Sequence, residues 1–215
     1  MPKIQCIIFD VDGTLLDNTN FIISLFQDTV INYLGPSKSM SRNEVLSLWG
    51  PPGDEIFRKV FPAEVVDEAW SEFLIKYRNT HPKTGFFSRV ELNNFRKYVQ
   101  YLAIFTGKSR YTNTISLEEL DITDCFDLIY TGSDVENSKP HPDALFLILE
   151  DLELNPDKVI FIGDSHLDII AGKAAGIPTA GAEWGAVELE KLLQSKPDHV
   201  FKTPNDFIKF IESAS

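Results

Sequence analysis

Three continuous apolar runs, residues 3–9, 101–105 and 159–162, each run into a glycine beside an oxygen-bearing side chain. Runs without polar alternation suit strands buried on both faces of a parallel sheet. Further short strands are predicted at 127–130, 179–182 and 199–201. From about residue 86 these strands alternate with helical patterns, which predicts a parallel sheet with helices on both faces and right-handed crossovers. Residues 18–81 hold no strand-like run. Apolar residues there recur at helical spacing instead: Phe21, Leu25, Val30 and Tyr33 in one stretch, Val65, Ala69, Phe73 and Tyr77 in another. Ser41 with Glu44 makes a capping box, and Gly50-Pro51-Pro52-Gly53 breaks the chain between helices. The expected fold is α/β, a doubly wound parallel sheet carrying an inserted helical cap. Residues 1–16 and 83–215 would form the core and 17–82 a four-helix insertion. No repeat or low-complexity segment interrupts this pattern.

The first run delivers Asp10 and Asp12 into a turn at Gly13. Residues two apart on a strand face the same way, so both carboxylates converge unless the chain turns between them. Like charges that close raise one pKa or recruit a cation. A structural reading, turn formation and helix capping, accounts for only one of the two acids. Asp164 follows Gly163 at the end of another buried strand, where ligands bind in open parallel sheets. Ser165 caps the helix that follows, and Asp168 falls in its first turn, where the helix dipole alone would favour a negative charge. Thr106 and Gly107 offer a hydroxyl and an open backbone amide suited to phosphate oxygens, although strands also end in Thr-Gly for turn reasons. Lys139, followed by Pro140 and Pro142, sits in a stiffened loop before a helix beginning near Asp143. A positive charge there would restrain an acidic nucleophile and neutralise phosphate, where an isolated lysine is ordinarily solvated.

Taken in order, DVDGT at residues 10–14, FTG at 105–107, KP at 139–140 and GDSHLD at 163–168 resemble the haloacid dehalogenase-like hydrolase superfamily over nearly the whole chain. The segments DNTNFIISLF, LWGPPGDEIF and TAGAEWGA look like its phosphoglycolate phosphatase and pyrophosphatase branch. The resemblance implies a Rossmann-like core and a phosphatase that works through an aspartyl-phosphate. Asp10 would be the nucleophile and Asp12 the general acid and then the base. Mg2+ would be held by Asp10, the Asp12 backbone carbonyl and Asp164, with Asp168 orienting that shell from behind. Thr106 and the Gly107 amide would grip phosphoryl oxygens and Lys139 would offset their charge. An acid at position 12 separates this chain from the superfamily's dehalogenases and ion pumps. Members resembling β-phosphoglucomutase share the core motifs, but residues 17–26 lack the histidine such caps usually supply. Hydrolysis is therefore expected, with phosphoglycolate or pyrophosphate as leading substrates and a sugar phosphate behind them.

Composition narrows the partners. A formal net charge of −12 disfavours nucleic acid and anionic membranes, and leaves a small phosphorylated substrate dependent on local positive charge. Cys6 and Cys125 have no metal-ligand spacing and are expected reduced and buried, as in a cytoplasmic protein. No run approaches the ~18 apolar residues of a membrane span, and the acidic N-terminal motif is unlike a signal peptide. Either a monomer or a homodimer is compatible with the sequence.

Other features receive plainer readings. His166 is expected on a helix surface, and His81, His141 and His199 have no ligand-spaced partners. The 16 phenylalanines are core and lid packing, since no basic residues interleave with them for base stacking. Asn18, Asn20 and the Trp49–Pro52 turn are candidates for substrate choice, although tryptophan more often packs. Arg58 and Lys59 are expected to be solvated. The second linker, PKTGFFSRVELN, departs from the short Pro-Gly hinge usual in the family, which bears on the angle at which the lid returns. A phospho-accepting receiver domain is the alternative from another class, with the insertion, the chain length and Asp12 against it. A catalytically dead scaffold would not retain all four motifs.

Overall fold

The computed structural model describes residues 3–214. The first strand, β1 (Cys6–Phe9), is followed by four helices, α1 (Thr19–Leu34), α2 (Arg42–Leu46), α3 (Gly53–Val60) and α4 (Val66–Thr80), before α5 (Arg89–Phe95) leads into β2 (Tyr101–Thr106). The chain then alternates: α6 (Arg110–Glu119), β3 (Leu128–Thr131), α7 (Asp143–Asp151), β4 (Val159–Gly163), α8 (His166–Ala174), β5 (Thr179–Ala182), α9 (Leu189–Gln194), β6 (His199–Phe201) and α10 (Pro204–Ser213).

The six strands form one parallel sheet in the order β3-β2-β1-β4-β5-β6. This is the doubly wound order in which the chain reverses direction beside β1, and such reversals open a crevice at the carboxyl ends of the strands. Phe9 is level with Ile104 of β2 and Ile162 of β4, so the residues just beyond these strands emerge side by side.

Both faces of β1 are buried, which is why its sequence shows no alternation. Ile7 and Phe9 enter one apolar cluster, in which Phe9 meets the rings of Phe87, Phe95, Phe126 and Phe207 at 5.7–6.2 Å. Cys6 and Ile8 enter the other, against Leu145 and Ile148 of α7 and Ala171 of α8. Both cysteines are free and buried, and burial pushes the Cys6 thiol far up.

The helices α1–α4 have their own apolar cluster, built on Ile23, Phe26, Phe57, Phe73 and Tyr77, and Ile115 of α6 joins it from the sheet side. In α4, Ala69, Phe73 and Tyr77 are the buried residues, spaced four apart as their periodicity predicts. The chain leaves and returns at one place: the Phe86 N–H donates to the Leu15 carbonyl at 2.8 Å. Gly85 permits that approach, since a Cβ there would stand 2.7 Å from the same carbonyl oxygen. The segment read as a linker in fact contains the start of α5, where Ser88 and Glu91 form a reciprocal capping box. Among the described residues no helix is long and apolar enough to cross a membrane.

Candidate active site

Asp10 lies one residue past β1, its N–H bonded to the Ile162 carbonyl of β4 at 2.9 Å, which fixes the carboxylate at the sheet's edge in a nearly buried position. Lys139 reaches it from the loop before α7, with Nζ donating to Asp10 Oδ1 at 2.7 Å. The same ammonium donates to Asp168 Oδ1 and lies over the rings of Phe105 and Phe161. Burial works against the charge of Lys139, but the carboxylates of Asp10 and Asp168 outweigh it and raise its pKa above the ordinary lysine value.

Asp164, just past β4, completes a group of three acids. Asp10, Asp164 and Asp168 each place one carboxylate oxygen within 4.8 Å of the others. The position of Asp164 depends on the turn after β1. The Thr14 hydroxyl donates to Asp164 Oδ1 at 3.2 Å, and Gly13, at φ +79°, packs so close that a Cβ would lie 2.3 Å from Asp164 Oδ2. Asp168 is spent on structure: its Oδ2 accepts from the Ser165 N–H at 3.0 Å to close the α8 capping box, and Lys139 takes its other oxygen.

Three acids around one ammonium leave negative charge uncompensated. Burial, opposed by Lys139, raises the Asp10 pKa from 3.8 to about 6. Asp164 is raised well above its ordinary value, first by burial and then by the charges of Asp10 and Asp168. An all-oxygen donor set with excess negative charge and, among the described residues, no donor to the second oxygen of Asp10 fits a hard divalent cation. Asp10 and Asp164 are the residues free to hold it.

Asp12 goes elsewhere. The chain turns straight after Asp10: the Val11 carbonyl accepts from the N–H groups of Thr14, Leu15 and Leu16, so the convergence expected of an extended strand does not occur. The Asp12 carboxylate is not among the three that can share an ion. It is held by Lys108, whose Nζ donates to both carboxylate oxygens at 2.7 and 2.9 Å, and by Asn18 Nδ2 at 2.6 Å. Lys108 also donates to Tyr77 Oη at 2.8 Å; Tyr77 Oη is 2.9 Å from Ser116 Oγ, which is 3.0 Å from His81 Nε2. Burial opposes the charge of Lys108, and Asp12 and Tyr77 overcome it, raising its pKa. Burial lowers that of His81.

This buried relay was not foreseen. Lys108 follows Thr106 and Gly107 directly, and its place two residues past a strand's last threonine was the available signal. Tyr77 falls at the helical spacing of the insertion's apolar residues, and His81 has no ligand-spaced partner in the sequence, so neither points to the relay. Asn18, a candidate for substrate choice, holds Asp12, while its own Oδ1 is buried with no hydrogen-bond partner among the described residues. Asn20 accepts from Arg42 at the insertion's surface. Thr106, Gly107, Lys139 and Asp164 all line one cavity of about 200 Å³ together with Asp10, Asp12 and Asp168. The Thr106 hydroxyl oxygen accepts from the Lys108 N–H at 3.3 Å, and its own proton finds no acceptor among the described residues. Trp49 and Gly50 form part of the opposite wall, and Ser138 beside Lys139 donates to the Gly50 carbonyl at 3.3 Å, joining that wall to the strand ends.

Comparison with known proteins is consistent with this arrangement. The family model described as haloacid dehalogenase-like hydrolase matches residues 7–182. The pyrophosphatase PpaX of Anoxybacillus flavithermus is 32% identical over 219 aligned positions, covering 97% of each chain. Among solved structures, a haloacid dehalogenase-like family hydrolase from Streptococcus pneumoniae superposes with a TM-score of 0.76 at 27% identity, covering 98% of this chain and 99% of that one. A predicted phosphoglycolate phosphatase from Haemophilus somnus gives a TM-score of 0.83 at 22% identity over 98% of this chain and 99% of its own.

Proposed function

The chain belongs to the haloacid dehalogenase-like hydrolases and is a phosphatase of that family, and from this premise we propose that it hydrolyses a small phosphate ester or anhydride through a phosphoryl group carried on Asp10. The observation that carries the proposal is the position of the Asp10 carboxylate, one residue past the central strand, oriented by Lys139 at 2.7 Å and beside Asp164.

Asp10 attacks phosphorus; the P–O bond to the leaving group breaks and an acyl phosphate forms on its carboxylate. Asp12 gives a proton to the leaving oxygen, then takes one from the water whose oxygen attacks phosphorus and releases Asp10 with inorganic phosphate. The Lys139 ammonium stabilises charge on the transferring group and keeps Asp10 in one orientation. The Thr106 hydroxyl and the Gly107 amide bind phosphoryl oxygens. Asp10, the Asp12 carbonyl and Asp164 would hold Mg2+, which would supply charge neutralisation at the transferring oxygens. Asp168 fixes Lys139 and the start of α8.

Helices α1–α4 close over this crevice as a lid, which keeps bulk water from the acyl phosphate. The names of the relatives make pyrophosphate and phosphoglycolate the first compounds to assay. A phospho-accepting switch would stop at one phosphate per chain, and membership in a hydrolase family speaks against it. The test is phosphate release with and without Mg2+, for the natural chain and for Asp10→Asn. Turnover is expected only for the natural chain with metal, and turnover by Asp10→Asn would exclude Asp10 as nucleophile.

A further inference from the structure

Opposite the acids, the cavity wall is built by Ile22, Leu48, Trp49, Ile56, Trp70 and Phe73 of α1–α4 and their connections, and no residue these segments contribute to the lining carries a charge. The phenol of Tyr77 is its one hydroxyl, and that is already engaged by Lys108 and Ser116. Cations of the same segments are turned outward: Arg58 pairs with Asp54, Lys76 with Glu72, Arg78 with Glu118, and Arg42 donates to Asn20. The two lysines that do line the cavity, Lys108 and Lys139, stand on the strand side and hold Asp12, Asp10 and Asp168.

A substrate bound with its phosphoryl group at Asp10 turns its leaving group toward this wall. A carboxylate or second phosphate there would give up hydration against a wall that offers it no cation and, from side chains not already engaged, only the indole N–H groups of Trp49 and Trp70, and a polyhydroxylated sugar would lose several hydrogen bonds at once. An apolar group gains from the same surface. The size limits the leaving group to a small one, since the whole cavity of about 200 Å³ must also hold the phosphoryl group. The wall is also well braced: Trp70 stacks on Phe73 at 5.6 Å, and Phe57 packs edge-on against Trp70 at 4.9 Å.

We infer that the substrates of this site are phosphate monoesters with a small apolar leaving group, preferably aromatic, and not compounds whose leaving group bears a second anion. The inference rests on the phosphatase reading of Asp10 and narrows its substrate class. It reverses the order suggested by the relatives' names, because both pyrophosphate and phosphoglycolate place an anion against the uncharged wall.

The test compares kcat/KM of the full chain with Mg2+ for benzyl phosphate, 4-carboxybenzyl phosphate, phosphoglycolate and pyrophosphate. Benzyl phosphate and its carboxylated analogue differ in one remote charge and little in intrinsic reactivity. Benzyl phosphate should exceed 4-carboxybenzyl phosphate and phosphoglycolate by about tenfold or more, with the difference mainly in KM. Ile56→Lys, placing an ammonium on the wall, should narrow that ratio in a chain whose thermal unfolding remains cooperative. Equal or better turnover of pyrophosphate, phosphoglycolate or the carboxylated ester by the natural chain overturns the inference and leaves the phosphatase reading standing. Phosphate release from none of the four overturns both.

Discussion

Lys108 places its ammonium 2.7 and 2.9 Å from the two oxygens of Asp12, in a position where the lysine is itself buried and anchored to Tyr77. The pair separates the two acids of the first motif by function: Asp10 faces the ion cluster and Lys139, Asp12 faces Lys108 and Asn18. Lys108 thus acts as a positioning residue for the proposed acid and base. Lys108→Met should lower kcat by about 10- to 100-fold with a smaller change in KM, because it removes orientation of Asp12 but no phosphate ligand. Lys108→Arg, which keeps the charge but not the compact fit, should recover part of the loss. Steady-state kinetics on both variants decide it, and a defect confined to KM would remove Lys108 from this role.

Tyr77 carries the relay into helix α4. Tyr77→Phe keeps the ring contacts with Phe73 and Phe21 but leaves Lys108 and Ser116 one hydrogen bond short each. Net hydrogen bonds contribute about 1 kcal/mol, more when a charged group takes part, so a loss of roughly 1–3 kcal/mol is expected from urea unfolding. Phosphate release should fall less than in Lys108→Met, since the lysine keeps Asp12.

Lys139 neutralises two buried acids at once. Replacing it with Met leaves Asp10 and Asp168 facing each other and Asp164 without compensation. Removing one partner of a buried ion pair typically costs about 3–5 kcal/mol. Lys139→Met should therefore unfold at lower denaturant as well as lose turnover, and saturating Mg2+ should restore part of the stability but not the activity. A variant as stable as the natural chain without metal would show the lysine to be structurally dispensable.

The strand ends were legible because buried parallel strands leave continuous apolar runs: Ile7, Ile104 and Ile162 mark β1, β2 and β4 without ambiguity, and the reactive residues follow at fixed offsets. Asp10, Thr106 and Asp164 could be placed at one edge on that ground, while Lys139, in the loop before α7, rested on its flanking prolines and the resemblance. What the pattern does not encode is which side chain arrives from another element. Lys108 and Asp12 are separated by 96 positions and meet across the ends of the paired strands β1 and β2, whereas Tyr77 and Ser116, 39 apart, meet only through the docking of the helical insertion on α6. The turn at Gly13 was legible, but not how it parts the two acids. Two acids two residues apart look alike on an extended chain, and only the hydrogen bonds to the Val11 carbonyl send them apart. The wall of the cavity was hidden by its own regularity: the residues that pack the insertion also face the crevice, so their periodicity reads as core.

The raised pKa values of Asp10 and Asp164 make metal binding pH-dependent. Asp10 goes from 3.8 to about 6 on folding. Between those values the native chain holds a proton that the unfolded chain has lost, so stability without metal falls as pH rises through the interval. A divalent ion competes with that proton for the ionised carboxylates. The rise in Tm produced by Mg2+ should therefore be small near pH 5 and larger near pH 7.5, approaching about 2.7 kcal/mol of added stability at a hundredfold excess over Kd. Melting curves across that range provide the check, and a Mg2+ effect independent of pH would place the ion away from these acids.

Gly13 offers the sharpest separation of metal binding from the rest of the site. Its φ of +79° is costly for any residue with a side chain, and a Cβ would fall 2.3 Å from Asp164 Oδ2. The carboxylate is the one group free to move, because the other neighbours of the turn are backbone bonded to Val11 and Leu16. Gly13→Ala should cost about 1–2 kcal/mol for the left-handed backbone and, through displacement of Asp164, weaken Mg2+ binding. The atoms nearest a Cβ at Gly13 all belong to Asp164, so the contacts of Lys139 with Asp10 and Asp168 should survive. Titration calorimetry with Mg2+ and thermal melting of the same variant distinguish the two effects. A variant that loses stability but binds the ion with unchanged affinity would show that Asp164 is not a ligand.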